Sequence, residues 1–443
     1  AGHLQGDLAC AFSRYPSFTR QLHLPRRALG PTHRGHPVIA DPLALIRAAH
    51  FATTLLTSGT VFFAAFVIGS TRLPQNFSIL RTHMNVLVWT GLALSVLTGA
   101  MWAIWLAANI LGVSLAEVWL HGGAWSVLAD TRFGWICCLR LVLAALLGLL
   151  VLDPAQRAWP IAVAAAFLAL PAFASHAGAT PGPRGDVHIV SDAVHLLSAG
   201  AWLGGLPAFV LLLWTARRRR KPGWHDLTIT VTHRFSWLAA ISVGTLLATG
   251  IANSWNLLGG PRDLWTTDYG QLVAFKIVLL AAMIAIATVN KFHLTPRLPA
   301  RSALRNLQRN SLAEIGIGLC VLILVGYLGR LEPGAHVHPA ATPIPPDAAF
   351  THIHAPEAMA DVTINPGRAG RSVVTIRVSR EDFTTFAAEE VRLLLDPPAG
   401  SGKSLDRAAE QQTDGTWTIK DIALPQPGIW TLRVLVITQS GKT

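Results

Sequence analysis

The sequence predicts an α-helical polytopic membrane protein of about eight transmembrane helices, with a small all-β sandwich domain at the C-terminal end. Three observations lead there. Of 443 residues, 51% are hydrophobic and only 14% are charged, where soluble domains carry about 25% charged residues. The apolar residues fall in long blocks with few charges, as membrane-spanning helices require. After residue 350 the pattern changes to short alternating strands separated by turn residues.

Taken in order, residues 1–42 are basic, contain His and Pro, and lack an apolar run or a signal-peptide core. They are expected to be poorly ordered. Residue 1 is Ala and the methionines stand at 84, 101, 283 and 359, so the chain is expected to be processed, trimmed or part of a longer reading frame.

A helix bundle is expected over 43–330, with apolar blocks at about 43–69, 84–109, 135–152, 159–175, 188–215, 229–257, 270–290 and 311–329. At roughly 1.5 Å per residue each can cross a hydrocarbon layer of about 30 Å. The third and fourth are near the minimum length.

Loop charge gives the orientation. Segments 70–83, 153–158, 216–234 and 291–310 hold fourteen Lys and Arg, whereas 110–134, 176–187 and 258–269 hold three. The basic set belongs in the cytoplasm. With eight crossings, both termini are then expected in the periplasm, although the basic segment at the start argues the other way.

A Pro-rich linker follows at 331–349, and the β-sandwich occupies 350–443. Its strands are read at Val373–Val378, Val391–Leu395, Thr416–Ile419 and Trp430–Val436, with turns at Pro366-Gly367, Pro397-Pro398 and Asp414-Gly415.

Lys and Arg exceed Asp and Glu by twelve. The excess lies in short loops between apolar blocks and no nucleic-acid motif accompanies it, so nucleic acid is not an expected partner. The four cysteines, at 10, 137, 138 and 320, form no CxxC pair and read as small buried hydrophobes. No repeat of fixed period is visible. Nucleotide-binding loops, a Ser-His-Asp set and paired hydrolase carboxylates are absent as well, so the chain is not expected to be an enzyme.

The candidate chemistry is histidine-based. His188, Asp192 and His195 are spaced i, i+4, i+7 and share a helix face near the outer end of the fifth block. Ionisable groups at membrane depth default to function. His50 in the first block and His176 at the end of the fourth are expected on the same side, and the five residues are read as one metal site, a His/carboxylate set that suits Cu, Zn, Fe or Ni. His121 reads as a solvated loop residue. A second cluster comprises His336, His338, His352, His354 and Met359, where imidazoles and a thioether again suit copper. Glu314, in Ser311-Leu-Ala-Glu314, matches a capping box and is read as structural. Arg47, Arg140 and Lys276 are expected to snorkel outward. His50 and His195 could alternatively be axial haem ligands of a redox protein.

Several phrases together resemble the copper resistance protein D family: Ser175-His176-Ala177, His195 through Gly205, Thr249-Gly250-Ile-Ala-Asn253, Asp268-Tyr269-Gly270 with Lys276, and Asn290 through Arg297. The stretch from Phe350 to Gly370 resembles a periplasmic domain appended to some members. The resemblance implies an inner-membrane protein that moves copper ions, Cu+ or Cu2+, between periplasm and cytoplasm. It also makes a periplasmic copper chaperone of the CopC type an expected partner, beside the lipid bilayer. Residues 1–42 are too short for the CopC-type domain of some relatives, and four methionines are too few for a thioether ladder. A copper sensor or assembly factor that transports nothing is the remaining alternative.

Overall fold

A computed structural model describes residues 17–24, 41–69, 78–111, 114–120, 128–129, 131–153, 158–174, 182–218, 223–258, 260–298, 300–331, 345, 347–354, 358–380, 386–397, 403–426 and 428–437. The chain forms two compact units. One is the helix bundle, Ile39–His338. The other joins Ala1–Val38 to Pro339–Thr443.

The bundle helices are α1 (Pro42–Phe62), α2 (Ser78–Leu111), α3 (Arg132–Leu152), α4 (Ala158–Ala169), α5 (Gly182–Trp202), α6 (Leu206–Arg218), α7 (Trp224–Leu257), α8 (Asp268–Val289) and α9 (Arg301–Leu328). Short helices at Leu115–Leu120 and Asp263–Thr266 precede α3 and α8. Among the described residues, seven segments are long and apolar enough to cross a membrane, and α4 extends to a shorter apolar span over Ala158–Phe173. Large apolar side chains such as Val142, Leu149 and Ile251 face outward, which suits contact with lipid tails.

The expected block at 188–215 is one span made of two helices. Its ladder breaks at Leu203–Gly205, where Gly204-Gly205 is followed by Pro207 in the first turn of α6. Proline is tolerated there because a first-turn N–H has no helical partner.

The first and last bundle helices meet at one end. Asp41 caps α1, accepting from the Leu43 amide at 3.0 Å, and pairs with Arg330 at 2.5 Å. Arg47 of α1 donates Nη1–H to the Gly329 carbonyl at 2.7 Å. A chain that enters and leaves a bundle at the same end crosses an even number of times, which seven long spans plus Ala158–Phe173 provide.

The β unit is two packed antiparallel sheets. One has the order β1-β9-β5-β6 and the other β2-β3-β4-β8-β7, with β1 Ser17–Leu24, β2 Ala349–His354, β3 Met359–Asn365, β4 Gly370–Ser379, β5 Glu390–Asp396, β6 Leu405–Ala408, β7 Glu410–Gln411, β8 Trp417–Leu424 and β9 Gly428–Ile437. Alternating residues of both sheets, among them Val362, Ile376, Leu393, Trp430 and Val434, fill the core, as a two-residue side-chain period dictates.

Three expectations change. Residues 1–42 are not wholly without structure: Ser17–Leu24 pairs antiparallel along the whole of β1 with Gly428–Leu435 of β9. Glu314 does not start a helix, because α9 already begins at Arg301. Cys138 and Cys320 are free and lie on exposed surface rather than inside; Cys137 is free and half-buried.

Candidate functional site

His188, Asp192 and His195 do share one face of α5, and α5 packs along α7. Nδ1 of His195 lies 2.9 Å from Thr249 Oγ1. The Thr249 hydroxyl donates its only proton to the Thr245 carbonyl at 2.7 Å. It can therefore only accept from the ring, which fixes the proton on Nδ1 and leaves the Nε2 lone pair as the ligand face. Among the described residues Nε2 carries no hydrogen bond. Lys276 of α8 acts electrostatically on both His195 and Asp192, and Asp192 in turn on His188 and Tyr269. One turn beyond Thr249, the buried Oδ1 of Asn253 has no hydrogen-bond partner among the described residues.

His50 stands in a different network. Its Nδ1 lies 3.1 Å from Thr98 Oγ1, and that hydroxyl donates to the Leu94 carbonyl at 2.7 Å. The same proton logic puts the hydrogen on Nδ1. Here Nε2 is occupied: Arg140 Nη2 donates to it at 3.0 Å and to Thr54 Oγ1 at 3.0 Å, while Nη1 donates to the Phe167 carbonyl at 2.6 Å. The guanidinium lies 4.3 Å over the Phe167 ring. Trp102 closes the other side, edge-on to His50 at 5.5 Å between centroids.

The single five-residue metal site is thus corrected in part. His188, Asp192 and His195 share a face of α5 without closing into a three-ligand cluster among the described residues, whereas both nitrogens of His50 are engaged in a separate network. Arg140 does not snorkel either; it is 6% exposed and bonded inward. Among the described residues no three of His, Cys, Asp or Glu gather closely enough to hold a metal ion. His121, His176, His336 and His338 lie outside the described residues, as do the side chains of His352 and His354. In backbone register His352 pairs with Asp361 and His354 with Met359, which is buried.

The profile for copper resistance protein D matches residues 229–328, and that for the copper resistance protein D-like N-terminal domain matches 39–186. Inner membrane protein YebZ of Escherichia coli (strain K12) is 30% identical over 298 residues, covering 65% of this chain and 97% of the relative. The chain belongs to the copper resistance protein D family. Copper transport protein CutJ of Bacillus subtilis (strain 168) is 26% identical over 370 residues, 77% of this chain and 64% of that protein. Copper resistance protein D of Pseudomonas syringae pv. tomato is 26% identical over 314 residues, 66% of this chain and 97% of that protein. No solved structure matches.

The chain also carries a polar group that sequence reasoning took for a helix cap. Glu314 is 2% exposed. Its Oε1 accepts from Asn290 Nδ2 at 2.7 Å, and the Trp202 side chain reaches the same carboxyl. Asn310 Nδ2 donates to Asn290 Oδ1 at 2.8 Å. Asn290 opens a π-helical turn, Asn290–Leu294, and such turns cluster at functional sites. Trp202 is seven residues after His195, two turns along α5, so the face carrying His195 leads to Glu314. The signal was available in the sequence: Asn290 and Glu314 are polar residues standing in two apolar blocks.

Proposed function

We propose that this inner-membrane protein binds copper at the His195 position and carries it between periplasm and cytoplasm, in copper uptake and resistance. The observation that carries the proposal is the pre-set Nε2 lone pair of His195. Imidazole is a good copper ligand, and the Thr249 contact is the kind of outer-shell hydrogen bond that fixes a ligand's tautomer and ring orientation. The Asp192 carboxylate supplies negative charge on the same face, and the Asn253 oxygen, without a hydrogen-bond partner among the described residues, supplies a neutral ligand atom. The names of two relatives, a copper transport protein and a copper resistance protein, agree with this reading.

The loop-charge count supports a periplasmic location for the His195 end, for both termini and for the β unit. In that arrangement strand β2, with His352 and His354, together with Met359 and the linker residues His336 and His338, collects the ion or passes it on. A CopC-type chaperone is a fitting donor. The protein acts as a carrier rather than as an enzyme. The haem alternative loses support, because Nε2 of His50 is held by Arg140.

The test is titration of the purified protein with Cu(I) and Cu(II), followed by copper uptake into proteoliposomes. The His195→Ala variant should lose one bound equivalent and all uptake above protein-free vesicles. Unchanged stoichiometry and affinity in the variant would overturn the proposal. Bound copper without uptake by the unaltered protein would leave the sensor reading in its place. A Soret band in the absorption spectrum would favour haem.

A further inference from the structure

His50 and His195 are 145 residues apart, and so are Gly59 and Gly204, and Leu55 and Gly200. These pairs are also related in space. A methyl group on Gly59 would strike the backbone of Gly204 and the carbonyl of Gly200; one on Gly204 would strike the carbonyl of Leu55. Equivalent residues that meet each other, with flanking contacts reciprocated, are what a two-fold relation produces.

The correspondence extends through the bundle. Thr98-Gly99 of α2 matches Thr249-Gly250 of α7, each threonine hydrogen-bonding its histidine. Each glycine lies beside that histidine's Cε1. In α3, Thr131-Arg-Phe-Gly134 and Arg140-Leu-Val-Leu143 match Thr267-Asp-Tyr-Gly270 and Lys276-Ile-Val-Leu279 of α8. Both helices are capped alike, with the threonine hydroxyl accepting from the glycine amide at 3.0 Å. A second reciprocal contact joins the halves: His83 faces Trp214 at 6.5 Å, and Arg234, 151 residues after His83, lies beside Gly69, 145 residues before Trp214.

The two histidine positions differ at three matched places. Where the second half has Asp192, Asn253 and Lys276, the first has Arg47, Trp102 and Arg140. Each difference replaces a ligand-bearing or shorter side chain by one that fills or repels. Arg140 sits on His50 Nε2, whereas no hydrogen bond joins Lys276 to His195 among the described residues.

We propose that the bundle is two copies of one four-span unit, α1–α4 and α5–α9 with α5 and α6 forming a single span, each with a homologous binding position, and that only the second is open to a cation. Arg140 is the built-in occupant of the first, a specificity-determining residue that keeps His50 from binding metal. The copper part rests on the function proposed above; the duplication does not.

The test transplants residues between the halves of the full-length protein and titrates Cu(I) against a chromophoric chelator. Lys276→Arg, with unchanged elution and helix content, should lose one equivalent by seating a guanidinium on His195. The triple variant R47D/W102N/R140K should gain one equivalent, and adding His50→Ala should remove it again. A folded triple variant that binds no more than the unaltered protein, or a Lys276→Arg variant that binds as much, overturns the inference. Should the triple variant not fold, Lys276→Arg decides alone. His195→Ala tells the two readings apart: if it binds as the unaltered protein does, the copper function fails; if it loses an equivalent while Lys276→Arg keeps it, only the matched-position inference fails.

Discussion

The hydroxyl of Thr249 accepts from Nδ1 of His195 at 2.9 Å while giving its own proton to the Thr245 carbonyl. Threonine here acts as a tautomer clamp. Replacing it by Val keeps the shape and removes the acceptor, which frees the ring proton to move to Nε2. Outer-shell partners of metal-binding histidines are worth roughly 10–100-fold in affinity. Thr249→Val should therefore weaken Cu(I) binding by about that factor in a competition titration. Thr249→Ser should restore it, and equal losses in both variants would argue against the clamp.

Gly59 and Gly204 leave no room for a side chain at their contact. Overpacking of this kind costs about 1–3 kcal/mol. Gly59→Ala and Gly204→Ala should each lower the thermal unfolding temperature in detergent. Because the two residues share one contact, the double variant should lose less than the two losses added.

Glu314 accepts from Asn290 and is reached by Trp202 inside the bundle. Alanine leaves those donors without an acceptor, at about 1–3 kcal/mol for each buried group. Glu314→Ala should destabilise clearly in a tryptophan-fluorescence melt. Glu314→Gln, which keeps an acceptor oxygen, should cost much less.

Strand β9 lies between β1 and β5. Deleting residues 1–24 turns β9 into an edge, and edge amides are open to solvent. Hydrogen exchange over 428–437 should then rise for the amides that bonded toward β1 and stay slow for those bonded to β5. Unchanged exchange would show that β1 contributes no protection.

Asp414 accepts from the Thr416 amide at 2.9 Å and from its hydroxyl at 2.7 Å, and these bonds hold its carboxyl below the usual carboxylate range. The folded value is below the unfolded one. The turn's extra stability is thus present above the ordinary Asp value of about 3.9 and is lost as pH falls through the lower folded value. Protection of the Thr416 amide, corrected for intrinsic exchange, should fall across that acidic window and be flat with pH in Asp414→Ala.

The membrane spans and the β unit were legible because apolar length and two-residue alternation are local signals. Helix ends were less so: the polar stretch Arg301–Asn310 continues α9 beyond its apolar part, and this made Ser311–Glu314 look like a beginning. Arg140 could not be read from spacing, since a long cationic side chain reaches either outward or inward depending on neighbours that only the fold supplies. The duplication was hidden for a related reason. Matched residues lie 145, 151 or 136 positions apart, because surface loops tolerate changes of length that the packed helices do not. The weak alternation of Phe18, Leu22 and Leu24 was the trace of β1 in the sequence.

Strand β1 is synthesised before the membrane helices, and its partner β9 after them. The ribosome must therefore translate every bundle helix before this sheet can close, and the waiting strand must already be on the same side of the bilayer as β9 when it does. Closure requires that the chain between the two strands crosses the bilayer an even number of times. A chain that skipped one crossing would strand the two segments in different compartments, leaving an unpaired strand for quality-control proteases to find.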